Sequence, residues 1–559
     1  MKISKLFCYL NIFLYLCTVK RKKEEEMEKN TMFDYNNFTL TENGALSNAT
    51  TGSELVDQFG KAGSYRARDI DSVFNDQNKI WDENADLALR FPFYLRMITR
   101  KVRVNKDVST DKVQKGQGAK DEAFKRLLWI AKNHPDAFYK NIWILPLVGS
   151  WKDIWVLMYY DKTFGVNAID KLSMFELLNE GLKCDAHVNL VLKYMPRIKS
   201  MSKCKTEWTK CTNALAKDFA DFNGLDYIKG YNKLKATGTA HDFQKIICSR
   251  DYSKLNWNKI PGKALFLLSK GKFLERHSLV DSYTEWMAKQ PTAKFTGYVY
   301  ELGHEVNRHR SYSYCNIPLY QKITIDKQFE ELVKKAKDGN GGINGNVWCA
   351  LDTSGSMTYY VPNSNVSALD ICTSLGVFFS ELNTGAFHNN VIMFDDTSRA
   401  LELSGSFTDR MCQLPYDSMG GTNFQSIVNE IIRIRKYNPN IPLSDYPQTI
   451  LVVSDMQFNT PRKCSVNTNY EEMKKKLYGF FPEEFVDNMK FIWWDCISRK
   501  KDFPATIDDP GCYFFSGFDG SIITLLLGGD AKDNKGNTIS MEELIKKALS
   551  QEILSYIEQ

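Results

Sequence analysis

The chain has 559 residues, 43% of them hydrophobic and 25% charged, with a formal net charge of +6. That length exceeds what one hydrophobic core ordinarily serves, and that composition excludes a chain disordered over long stretches. The net charge conceals an asymmetry: residues 1–340 carry 55 basic and 40 acidic side chains, whereas residues 341–559 carry 18 and 27. A basic portion joined to an acidic one predicts two surfaces with different partners. Polyanions are the natural partner of the first, and plain solubility is the alternative reading of the same charge.

Residues 1–35 form a segment of their own. Leu6–Val19 is apolar apart from Asn11 and Thr18 and runs into Lys20-Arg21-Lys22-Lys23. Fourteen residues are short for a membrane span, and a signal-peptide core would want a small-residue cleavage site that the flank lacks. The expectation is that translation starts at Met27 or Met32. No other run approaches spanning length, so no membrane partner is expected. Thirteen cysteines occur without a CxxC pair, which fits a reducing, cytoplasmic setting and gives no zinc-ligand spacing.

From Asp69 to Leu302 apolar residues recur at helical spacing. Phe124, Leu127, Leu128 and Ala131 share one face of Ala123–His134, the i, i+3, i+4, i+7 pattern of an amphipathic helix. Further helices are predicted over Ile154–Tyr160, Lys171–Leu182, Cys211–Phe222 and Leu279–Lys289, broken by Pro135, Gly149, Pro196, Gly224, Gly238, Pro261 and Pro291. Short helices joined by short turns predict a HEAT-like helical solenoid or ring over residues 36–336. A Gly- and Asn-rich stretch over 337–346 is read as a linker.

Beyond it, in residues 347–559, short apolar runs alternate with helices. The runs are Val347–Leu351, Asn390–Phe394, Thr449–Val453, Phe491–Trp494 and Tyr513–Phe515; the helices include Ser367–Leu382, Phe424–Tyr437 and Tyr470–Phe480. Continuous apolar runs mark strands buried on both faces, which predicts a Rossmann-like parallel sheet flanked by helices. The fold class is therefore α followed by α/β, with a C-terminal helix.

Chemistry is expected where the first strand ends. VWCALDTSGSM sets Asp352, Ser354 and Ser356 directly after the apolar run, Thr422 follows Gly420-Gly421, and Asp455 follows TILVVS. These are hard oxygen donors at the carboxyl ends of strands, where a doubly wound sheet opens its ligand crevice. They suit one divalent cation, Mg²⁺ first, with Mn²⁺ or Ca²⁺ as alternatives. Capping of the following turn by Asp352 and Ser356 is the bland alternative. Asp395-Asp396 is expected to stay outside the ligand set.

The five positions resemble the metal-ion-dependent adhesion site of von Willebrand factor A domains, a D-x-S-x-S followed by a Thr and an Asp. The resemblance implies a metal that bridges to an acidic side chain of a protein partner, not a catalytic centre. The helical half carries a second resemblance in Leu40–Arg66, Tyr94–Arg103, Arg126–Trp155 and Trp257–Met287. These phrases resemble the TROVE module of Ro-type RNA-binding proteins. They are also similar to a related uncharacterised family, domain of unknown function 2828, with the same layout. Gly149-Ser150-Trp151-Lys152-Asp153 stands where those proteins have a Gly-Arg-Trp-Asp-Asp-like turn, with Ser in place of Arg. The resemblance implies a ring closed by the A domain that binds RNA ends in its hole and structured RNA outside.

Candidate phosphate contacts are Lys193, Arg197, Lys199, Lys203, Lys205 and Lys210, with Tyr194 and Trp208 able to stack on bases. Further candidates are Arg100 and Arg103, grouped with Arg96, Lys101 and Lys106, and Arg276 and Arg308, with His277, His309 and Arg310. Solvated helix faces are the alternative reading of each. The expectation is a non-enzymatic RNA-binding protein. Its rivals are a protein–protein scaffold and a metal-dependent hydrolase.

Overall fold

The computed structural model describes residues 37–238, 242–311, 314–338, 346–461, 467–520, 526 and 539–559. The apolar run Leu6–Val19 and both candidate start residues lie outside them, as do residues 339–345 of the expected linker. The helix Leu319–Asp338 takes up the linker's first two positions. No helix among the described residues is long and apolar enough to cross a membrane.

Two short antiparallel ribbons precede the main sheet. They are β1 (Phe38–Leu40) with β2 (Leu46–Asn48), and β3 (Arg310–Ser311) with β4 (Tyr314–Cys315). The main sheet has six strands: β5 (Val347–Asp352), β6 (Asn390–Phe394), β7 (Ser398–Glu402), β8 (Thr449–Ser454), β9 (Lys490–Asp495) and β10 (Cys512–Ser516). Their order is β10-β9-β8-β5-β6-β7, with every pairing parallel except β6–β7. β5, β8 and β10 are buried at every position, as strands covered on both faces must be. All five expected strands are present. β7 was not expected, because SRALE is half-exposed, as suits an antiparallel edge strand.

The helices between strands also fall where their periodicity places them, at Ala368–Leu382, Gln425–Tyr437 and Asn469–Leu477. Ser367 with Asp370 and Thr468 with Glu471 form reciprocal capping boxes at two of their starts. In the N-terminal half the expected helices run over Lys120–Asn133, Lys152–Phe164, Lys171–Lys183, Glu207–Phe222 and Val280–Ala288. A small separate core of Trp257, Ile260, Leu265, Leu274, Tyr283, Met287, Ala293 and Tyr320 serves the last helices of this half.

The turn Gly149–Asp153 is a packing device. The Ser150 amide donates to Asp153 Oδ2 at 2.7 Å, Arg96 reaches the same oxygen at 2.6 Å, and Trp151 is buried. Arg96, expected on an exposed basic face, is instead 1% exposed and committed to this ion pair.

The two halves share one continuous hydrophobic core. The helix Glu54–Lys61 packs on β10 and on the C-terminal helix Met541–Leu549, and Val299–Asn307 packs on Ala368–Leu382. That second crossing is close because Gly303 has no side chain: a Cβ there would stand 1.9 Å from Ser374 Oγ. His304 and Asn307 both reach Asp370 across it, at 2.8 and 2.7 Å. Arg310 donates to the carbonyls of Met411, Cys412 and Leu414. The helical half thus begins and ends on the α/β half.

The first of these joints turns on Lys61. Its ammonium is 3% exposed and lies 2.8 Å from Asp495 and 3.3 Å from Asp502. The two carboxylates hold its pKa above the usual lysine value against the effect of burial. Lys61→Ala leaves two buried carboxylates without their cation and is expected to cost about 3–5 kcal/mol, read as a lowered denaturation midpoint against wild type.

Candidate metal centre

β5 and β8 are parallel neighbours with Leu351 opposite Val453, so both end at one edge of the sheet. Asp352 closes the first strand, and Asp455 follows the second; both are fully buried. The Ser354 amide donates to Asp352 Oδ1 at 2.9 Å and the Ser454 hydroxyl to Oδ2 at 2.5 Å. The hydroxyls of Ser354 and Ser356 lie 3.1 Å apart, and Ser356 also faces the Asp455 carboxylate. The Gln457 amide donates to Asp455 Oδ1 at 3.4 Å, whereas Oδ2 is buried without a hydrogen bond among the described residues. Met456, next in the chain, is held at φ +62°, an uncommon conformation for a non-glycine residue and one that concentrates at functional turns.

The third loop is laid against the first. Gly355 donates to Gly420 O at 2.8 Å, and the Ser418 hydroxyl bonds the Thr353 carbonyl. Gly420 and Gly421 pass directly over the Asp395-Asp396 turn; a Cβ at either would come within 2.7 Å of Asp395 Cβ or 2.5 Å of Asp396 Oδ1. Thr422 follows, buried, its carbonyl accepting from the Asn459 amide at 2.8 Å. The structure therefore clusters Asp352, Ser354, Ser356 and Asp455 and places the Thr422 loop beside them.

Burial raises the Asp352 pKa, and the charge of Asp455 raises it further. Burial likewise raises Asp455, with Arg499 as the main counterweight. Two facing buried carboxyls, one with an unbonded oxygen, call for positive charge; with two hydroxyls alongside, the donor set is all hard oxygen and fits a divalent cation. Among the described residues no three His, Cys, Asp or Glu gather as a metal group, so any such site here rests on two carboxylates completed by hydroxyls.

Three features of this site had no signal in the expected motif. Ser454, the Asp352 donor, precedes Asp455 in the strand and could have been found there. Arg499 reaches in from beyond β9: its Nη2 lies 3.6 Å from Asp455 Oδ2 and donates to Ser356 O at 3.0 Å. The rim carries exposed apolar side chains, Tyr359 (62%), Tyr360 (67%) and Met419 (93%), with the Arg499 guanidinium 4.9 Å from the Tyr359 ring.

The basic candidates divide. Lys193, Arg197, Lys199, Lys203 and Lys205 are exposed, and the last four make no side-chain ion pair among the described residues. Lys193 lies 5.3 Å from the Tyr194 ring. Lys210 pairs with Glu207 at 2.7 Å at the surface, and Arg308 reaches the buried Glu305 at 3.0 Å; Arg276 is exposed. Arg100 is spent on the carbonyls of Leu147 and Gly149, and Arg103 on those of Asn105 and Lys106. Trp208 packs edge-on against Tyr159 at 5.1 Å and is half-buried, with Lys152 over its ring. Lys120, unmarked by the sequence, is exposed, yet surrounding protein lowers its pKa, with Arg96 adding to the effect.

Residues 346–554 match the profile of a domain of unknown function (DUF7788). Over 527 residues, 88% of this chain and 85% of the relative, the chain is 21% identical to the uncharacterized protein L728 of Acanthamoeba polyphaga mimivirus. That similarity spans both halves, so the relative shares the combination and not the sheet alone.

The carboxylate pair sets a pH dependence. The folded chain keeps protons on it that the unfolded chain has already lost, so this pair's contribution to stability falls as pH rises. In chelator, the decline is expected from about pH 4 upward through the raised pKa. Thermal denaturation across this range checks it: Asp352→Asn should flatten the decline, and an unchanged slope would show that the pair is not strained.

Proposed function

We propose that this is a non-enzymatic binding protein with two working surfaces: a divalent-cation site of A-domain type that docks a protein partner's acidic side chain, and a helical arm that binds RNA. The observation that carries the first part is the buried Asp352–Asp455 pair set inside a rim of exposed Tyr359, Tyr360 and Met419. Asp352, Ser354, Ser356, Thr422 and Asp455 are the residues that would hold the cation. Bound there, it supplies a positive charge and an open position for a carboxylate. The rim supplies the apolar contact that exposed aromatic and Met side chains provide at interfaces. The basic group beside the carboxylates, Arg499, is a guanidinium that offers donors and no acceptor, which favours docking over hydrolysis.

RNA binding is supported by Arg197, Lys199, Lys203 and Lys205, which are exposed and make no side-chain ion pair among the described residues. A ring reading draws support from the helical half starting and ending on the α/β half, and an A-domain reading from the sheet order and the strand-end acids. The ten cysteines among the described residues are free thiols, which supports a reducing, cytoplasmic setting.

Lys199→Ala/Lys203→Ala/Lys205→Ala is expected to weaken single-stranded RNA binding and to make the log K against log salt slope shallower by about two, measured by filter binding. No RNA retained at low salt ends the RNA reading and leaves the scaffold. For the other surface, Asp352→Ala and Tyr360→Ala/Met419→Ala are each expected to abolish cation-dependent capture of an immobilised acidic-peptide library. Capture that survives both variants and chelation refutes docking at this site.

A further inference from the structure

Arg499 touches three separate segments at the mouth of the candidate site. Nη2 donates to Ser356 O at 3.0 Å and lies 3.6 Å from the unbonded Asp455 Oδ2, and Nη1 lies 3.6 Å from Glu42. Glu42 belongs to the turn between β1 and β2. That turn is fastened to the loop after Asp455: Thr41 donates to Phe458 O at 2.6 Å, the Glu42 amide to Gln457 Oε1 at 2.7 Å, and Asn43 to Gln457 O at 2.5 Å. One guanidinium thus sits between a buried carboxylate of the site and a surface carboxylate of the N-terminal ribbon.

We infer that Arg499 is a latch: it competes with the divalent cation for Asp455, and cation binding shifts it to Glu42, so that occupancy of the site is passed to the β1–β2 ribbon. The inference rests on the metal reading above and adds a regulator to it. The physical basis is electrostatic. Among the described residues Asp455 Oδ2 has no hydrogen bond and Arg499 is its ion-pair partner, and a divalent charge at the same carboxylate repels a guanidinium 3.6 Å away. Glu42 is 41% exposed and already lies 3.6 Å from Nη1 of the same guanidinium, within reach of a side-chain rotation. The Tyr359 ring, 4.9 Å from the guanidinium, offers a face along which it can slide.

The test is calorimetric titration of the full chain with Mn²⁺ alone, in wild type, Arg499→Gln, Arg499→Lys, Glu42→Gln and Asp352→Ala, paired with hydrogen exchange over residues 37–48. Arg499→Gln is expected to bind Mn²⁺ about tenfold or more tightly, given the loss of a neighbouring positive charge. Arg499→Lys should stay near wild type and show that the charge matters rather than the fold. Mn²⁺ should increase protection of residues 37–48 in wild type and leave Glu42→Gln unchanged. Equal or weaker binding in Arg499→Gln, with binding still lost in Asp352→Ala, overturns the latch alone. Binding that is absent from wild type, or unaffected by Asp352→Ala, overturns the metal reading and the latch with it.

Discussion

The two carboxylates at the ends of β5 and β8 are close because the strands are parallel neighbours in register. Leu351 faces Val453, so Asp352 comes level with Ser454, whose hydroxyl bonds it, and Asp455 follows one residue later at the same end of the sheet. Burying two acids there is unfavourable unless donors and positive charge answer them. The surrounding chain follows from that demand: the Ser354 amide and Ser454 hydroxyl on Asp352, the Ser356 hydroxyl and Arg499 against Asp455, and a glycine pair that brings the Thr422 loop down beside them.

The demand extends along the edge. β9 ends in Asp495, and Asp502 follows it, so consecutive strand ends present acid after acid. The answering cations and hydrogen bonds come in part from residues 37–64, far away in sequence. Lys61 enters between Asp495 and Asp502, while Lys501 pairs in return with Glu54 and Asp57 of the same N-terminal helix. The division of charge between a basic first part and an acidic second part is therefore partly internal. Lys61, Arg310 and Lys322 spend their charge or donors on the second part. The surplus available to an outside polyanion is smaller than the count of basic residues suggests.

What could be read from the sequence follows from how local its signal is. A strand covered on both faces writes itself as an apolar run, so β5, β6, β8, β9 and β10 were legible, and the acids and hydroxyls just after them with it. Amphipathic helices were legible for the same reason. β7 was not, because an edge strand need be neither apolar nor strictly alternating. Arg499 and the docking of residues 37–64 were not, because pairing across hundreds of residues leaves no periodic trace. Arg96 and Arg310 looked like surface cations, and composition alone does not tell an arginine that holds Asp153 or three carbonyls from one that faces solvent.

That last distinction decides where an RNA reading can stand. Arg96, Arg100, Arg103 and Arg310 each close a turn or a joint, and a side chain already bonded to protein carbonyls or carboxylates must give those up to meet a phosphate. Arg197, Lys199, Lys203 and Lys205 have no ion pairs among the described residues to surrender. They sit around the short turn before the helix Glu207–Phe222, whose interior face, with Cys211, Leu215 and Phe219 buried, fixes the turn to the core. Counterion release rewards cations that are free and fixed on a common support. By that criterion the candidate polyanion contacts narrow to the neighbourhood of residues 193–205, with Arg276 as a separate exposed cation.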